Sequence, residues 1–87
     1  MLEQPTPQQV SEYIASGLNA AEISCTHLTV NGDGRHFQAM IVSDAFEGKS
    51  LVARHRLVYG VLGDRMREQI HALSMQTLTP AEWNQQQ

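Results

Sequence analysis

Val10, Tyr13, Ile14 and Leu18 recur three and four residues apart, the spacing of one face of an α-helix. Thr6 precedes them as an N-cap, Pro7 fits the first helical position, and Gln9 stands three residues after Thr6 as in a capping box. Gly17 and Asn19 mark the predicted end of this helix. From about residue 23 to residue 30 the pattern changes to alternation, with Ile23, Cys25 and His27 on one side and Thr26, Leu28 and Val30 between them. That period predicts a strand. Asn31-Gly32-Asp33-Gly34 follows, and because Asn-Gly and Asp-Gly both favour positive φ, it predicts a tight hairpin turn. Residues 36–42 form the return strand, with Phe37, Ala39 and Ile41 on one face, and residues 43–49 are a turn region containing Phe46 and Gly48.

Ser50 can cap a long helix running to about residue 69, with Leu51, Val58, Leu62 and Met66 on one face and Leu57 and Val61 beside them. Gly60 and Gly63 each weaken such a helix by up to ~1 kcal/mol relative to Ala, and mark either a break or a close packing contact. Residues 72–78 read as a third strand. Thr79, Pro80 and Glu82 then repeat the N-cap, N1 and N3 signature, which starts a short helix whose Trp83 folds back onto the sheet. The order is α-β-β-α-β-α, with the long helix split in two if its glycines break it. A short hairpin makes the first two strands antiparallel, and a helical crossover permits parallel pairing of the last. The predicted fold class is therefore α+β: a three-stranded mixed sheet with helices packed on one face. The other face stays partly open as a candidate docking surface.

The length of 87 residues fits one domain, with an ordered core over about residues 6–83. Hydrophobic residues make up 41% and are spread along the chain, which argues for a folded globule over disorder. No apolar run approaches the ~20 residues of a membrane span, so no membrane association is expected. The first residues lack the basic-then-apolar order of a secretory signal. Cys25 is the single cysteine and can neither staple the fold nor hold a metal cluster alone, so a reducing, cytoplasmic compartment is expected. A net charge of −3 with six Lys and Arg leaves no broad electrostatic footprint for nucleic acid.

Histidine is the informative residue type, because neutral imidazole is a common metal ligand. His71 lies where the long helix gives way to the last strand. It reads as a metal or cluster ligand, or as a polar strand-start residue bonded to backbone. His36 follows the hairpin turn, where a solvated ring is the plain reading. His55 falls on the core-facing stripe and reads as a satisfied core or boundary histidine. His27 carries no assigned role, and Cys25, in a strand centre, reads as a small buried hydrophobe. Gly60-Val61-Leu62-Gly63 matches a nucleic-acid G-x-x-G clamp, but its apolar middle and lack of a basic residue favour a glycine-weakened helix. Arg54, Arg56, Arg65 and Arg67 form a strip diluted by Asp64 and Glu68, which reads as a solvated face. No nucleophile elbow, P-loop or HExxH appears, so the sequence offers no evidence for an enzyme.

The ordered segments Asn31-Gly-Asp-Gly-Arg-His-Phe-Gln, Val42-Ser-Asp-Ala-Phe-Glu-Gly-Lys, Arg54-His-Arg-Leu-Val-Tyr, Ile70-His-Ala-Leu and Leu78-Thr-Pro-Ala-Glu-Trp83 together resemble the BolA family. The resemblance runs from about Val10 to Trp83, and the short Gly-Asp-Gly hairpin is most similar to the acid-stress-associated IbaG or YrbA subgroup. It implies a class II KH-like fold. It also implies a partner, a monothiol glutaredoxin of the CGFS type, with which a [2Fe-2S] cluster is shared. In that family the histidine of the His-Ala-Leu motif is a cluster ligand, here His71. A second ligand comes from the hairpin loop, where the candidate is His36, with Asp33 and His27 as weaker substitutes. The glutaredoxin cysteine and a glutathione thiol would complete the set, and no cluster is implied for the isolated chain. The family's other attributed role is transcriptional regulation, for which Arg54, Arg56 and Arg65 are the candidate nucleic-acid contacts. The resemblance leaves open whether the free protein is a monomer or a homodimer.

Overall fold

A computed structural model describes residues 6–33, 35–64 and 72–86. The first helix, α1, spans Pro7–Ala20 and begins as its capping box dictates. The Thr6 hydroxyl accepts the Gln9 N–H at 3.1 Å, and the Gln9 side chain accepts the Thr6 N–H at 2.8 Å. Its buried face is Val10, Ile14, Gly17 and Leu18. Gly17 does not end the helix. It sits where α1 meets the second helix, α2 (Leu51–Leu62), and a Cβ there would overlap the Val61 carbonyl. The chain instead leaves the helix through Glu22, which has a φ of 58°.

The first strand, β1 (His27–Gly32), begins four residues later than the alternation predicts. Residues 23–25 lie ahead of the ladder, where the Ser24 carbonyl accepts the Ser43 hydroxyl, and the first backbone bond to β2 is made by the Thr26 N–H to the Val42 carbonyl at 2.9 Å. Ile23 and Cys25 still pack against the core from this segment, so Cys25 lies ahead of the strand and not at its centre. β1 pairs antiparallel with β2 (Phe37–Val42), from His27 opposite Val42 to Gly32 opposite Phe37. After β2 the Ser43 hydroxyl caps a 3-10 turn (Asp44–Phe46) that buries Phe46. Ser50 then caps α2 through the Ala53 N–H.

α2 ends at Leu62, where Gly63 takes a φ of 58°, so the predicted break falls at the second glycine. The expected continuation to residue 69 lies outside the described residues beyond Asp64. Leu51 is 62% exposed although it shares the stripe of the buried Val58. Periodicity places a residue around the helix axis but not along it, and Leu51 is the first residue of α2, whose buried residues, Val58 and Leu62, lie in its second half. The third strand, β3 (Leu73–Leu78), pairs parallel to β2, and α3 (Pro80–Gln85) follows with its own Thr79 and Glu82 capping box. The sheet order β1-β2-β3 puts β2 in the middle.

Phe37, Ala39 and Ile41 of β2 and Leu73 of β3 join Val10, Ile14, Leu18, Phe46, Val58 and Leu62 in one core, which places α1 and α2 on one face. The opposite face carries the cross-strand rows Asn31–Gln38–Ser74, Thr29–Met40–Gln76 and His27–Val42–Leu78. The last row is covered except at His27, which stays exposed. Val42 and Leu78 are buried, and the Trp83 ring of α3 lies 4.8 Å from the His27 ring, centroid to centroid. The other two rows line a shallow groove.

The Gly17 contact yields a prediction of unusual sign. Ala is worth up to ~1 kcal/mol more than Gly in a helix interior. Overlap with the Val61 carbonyl should reverse this, since overpacking costs about 1–3 kcal/mol. Gly17→Ala should therefore lower the urea midpoint, whereas Gly60→Ala, where nothing lies within 4 Å of the added Cβ, should raise it.

Candidate metal centre at the hairpin

Neither Asn31 nor Gly32 adopts positive φ, and both pair within β1. The turn is a four-residue connection over 33–36, organised by Asp33. One carboxylate oxygen, Oδ1, accepts the N–H groups of Arg35 and His36, both at 2.9 Å. The Asp33 N–H donates to the His36 carbonyl at 3.3 Å. Gly32 is required here for space rather than for φ, because a Cβ would sit 2.6 Å from the His36 carbonyl oxygen and 2.9 Å from the Phe37 ring. The N–H groups of His36 and Arg35, in that order of effect, hold the Asp33 carboxyl below the usual carboxylate range.

His36 therefore has both backbone groups held while its side chain is exposed and makes no hydrogen bond among the described residues. An exposed imidazole on a fixed backbone, with the Asp33 carboxylate close enough to interact with it, is a suitable metal donor. Asp33, by contrast, already uses Oδ1 internally, which favours His36 over Asp33 as the ligand from this loop. His27, the other substitute, is engaged by Trp83 at the far end of β1. His55 is half-buried beside Tyr59, and its Nε2 has no partner among the described residues. The Cys25 thiol donates to the His27 carbonyl at 3.1 Å, and burial pushes its pKa up, away from a reactive thiolate.

The parallel register bears directly on the second histidine. Phe37 pairs with Leu73, so β2 and β3 start side by side. His36 directly precedes Phe37, and in the sequence His71 stands two residues ahead of Leu73. His71 itself lies outside the described residues, as does Arg65. Among the described residues no three His, Cys, Asp or Glu side chains converge on a metal position, so a centre at His36 needs further donors.

Arg54 is occupied inside the fold. Its Nε donates to the Lys49 carbonyl at 3.0 Å. Its Nη1 donates to the Thr77 carbonyl at 3.1 Å and to Glu82 Oε1 at 2.8 Å. Its side chain is only 13% exposed and lies over the Phe46 ring. It joins α2, β3 and α3, and little of it faces a phosphate in solution. Arg56 is exposed. The role of Asp33 in building the loop was missed by sequence reasoning that treated the Asp-Gly pair only as a source of positive φ. The available signal was Asp's habit of accepting backbone N–H groups two and three residues on.

A small α+β domain, with two helices on one face of a mixed three-stranded sheet and a histidine-bearing hairpin, is the class these features define. The BolA-like protein family matches residues 9–82, and the chain belongs to that family. It is 42% identical over 67 residues to the acid stress protein IbaG of Escherichia coli K12, covering 76% of this chain and 77% of that protein. It is 54% identical over 61 residues to the SufE-like protein 1 (chloroplastic/mitochondrial) of Arabidopsis thaliana. That match covers 64% of this chain but spans only 16% of the plant protein's length. The structure of a bolA protein homologue from Coxiella burnetii superposes with a TM-score of 0.75 at 40% identity, covering 92% of this chain and 97% of that one. No helix among the described residues is long and apolar enough to cross a membrane.

The Arg54–Glu82 pair gives a pH prediction. The Arg54 guanidinium, then the Thr79 N–H, hold the Glu82 carboxyl below its ordinary value. Such a group binds its proton more readily in the unfolded chain. Its contribution is complete at neutral pH and is lost as pH falls through the ordinary carboxylate range towards the lowered folded value. Glu82→Gln should therefore be less stable than the natural protein at neutral pH, with the gap narrowing as pH falls through and below the ordinary carboxylate range. Urea midpoints of both proteins across this range check it.

Proposed function

We propose that the protein is an adaptor that binds a CGFS monothiol glutaredoxin and shares a [2Fe-2S] cluster with it, in cluster assembly, trafficking or iron and stress regulation. The supporting observation is the paired start of β2 and β3, which brings the segment carrying His36 beside the strand that His71 precedes. In this reading His36 and His71 supply two imidazoles. The glutaredoxin cysteine and a glutathione thiol supply two thiolates. Four donors complete a [2Fe-2S] centre, and neither protein holds them all. Two histidines on one iron raise the potential relative to an all-thiolate cluster. Free thiols on the partner and on glutathione require a reducing compartment, which suits the cytoplasm.

A nucleic-acid role through Arg54, Arg56 and Arg65 is the weaker reading, because Arg54 is spent on Lys49, Thr77 and Glu82. Co-expression with a CGFS glutaredoxin tests the adaptor role. The purified complex should show the visible absorption and circular dichroism of a [2Fe-2S] centre, and His36→Ala and His71→Ala should each change that spectrum. Wild-type spectra from both variants would refute the ligand assignment. Failure to isolate any complex would refute the partner.

A further inference from the structure

We infer that Asp33 is the positioning residue of this site: it fixes the backbone of His36 so that the main chain there need not be ordered when the imidazole meets the cluster. The inference rests on the adaptor reading. A flexible hairpin would have to lose backbone freedom when the cluster binds, and that loss would weaken binding. Here the loss has occurred on folding. The Asp33 carboxylate accepts the His36 and Arg35 N–H groups, and its own N–H holds the His36 carbonyl. His36 is thus gripped on both sides of its α-carbon by one residue three positions earlier. Gly32 completes the device by letting the His36 carbonyl approach where any side chain would collide. The imidazole is left out of these bonds, so its nitrogens stay available.

This arrangement differs from the commoner one in which a carboxylate bonds the second ring nitrogen of a ligating histidine. Asp33 acts on the main chain instead. An asparagine can accept the same two N–H bonds through its amide oxygen, whereas alanine cannot. The two substitutions therefore separate the acceptor from the charge.

The experiment compares the natural protein with Asp33→Asn, Asp33→Ala and His36→Ala, in the free state and as the [2Fe-2S] complex with a CGFS glutaredoxin and glutathione. In the free protein, amide exchange at His36 and Arg35 should speed up about 10-fold or more in Asp33→Ala, given the strength of bonds to a charged acceptor, and less in Asp33→Asn, which keeps the acceptor without the charge. In the complex, Asp33→Ala should lose its cluster to a chelator about 10- to 100-fold faster, as when a ligand's supporting partner is removed, with Asp33→Asn restoring most of the lifetime. Its visible circular dichroism should keep the histidine-ligated form that His36→Ala lacks. If His36→Ala alters the cluster while Asp33→Ala leaves its lifetime unchanged, the positioning role is wrong and the ligand assignment stands. If His36→Ala leaves spectrum and lifetime unchanged, both are wrong.

Discussion

β2 is hydrogen-bonded on both sides, and the two registers it sets determine almost everything else in the molecule. On one side its antiparallel ladder to β1 closes the hairpin at Gly32 and Phe37. On the other its parallel ladder to β3 starts at Phe37 and Leu73. One residue, Phe37, begins both. Its ring is fully buried in the core, so the end of the sheet that carries the hairpin is also anchored to the helices. A one-residue slip of β2 would turn Phe37, Ala39 and Ile41 to the open face. It would also uncouple the start of β3 from His36. The core and the candidate metal centre are therefore specified by the same pairing.

The two ends of the sheet have different tasks. At the end where β1 starts and β2 and β3 finish, α3 returns, Trp83 lies on His27, and Arg54 links Lys49, Thr77 and Glu82. Side chains there are spent on one another. At the hairpin end the Asp33 carboxylate is spent on the backbone instead, and the His36 side chain is exposed. His27 lies against Trp83 at one end of the sheet, and His36 is exposed at the other. Position in the fold, more than residue type, separates His27 from His36.

Much of this was legible in the sequence. The caps at Thr6, Ser50 and Thr79 fixed where α1, α2 and α3 begin, because each cap is a local bond between residues three apart. The alternation of Phe37, Ala39 and Ile41 identified the central strand. What was not legible depends on contacts distant in the chain. Gly17 looks like a helix stop until Val61 is placed against it. Residues 23–25 look like strand until Ser43 takes the Ser24 carbonyl. Leu51 lies on the right stripe but too far along the axis to be covered. Arg54 resembles a surface cation in sequence, and only the arrival of β3 and α3 turns it inward. His36 was found by resemblance to a family, and the bonds that hold it were hidden behind the more familiar reading of Asp-Gly.

We propose that two histidines of this protein ligate one cluster, with His36 placed at the paired starts of β2 and β3. Pulsed electron paramagnetic resonance of the reduced complex, with histidine of this protein alone labelled with nitrogen-15, measures it directly. The account predicts strong couplings to two imidazole nitrogens. Coupling to one nitrogen, or to none, would contradict it.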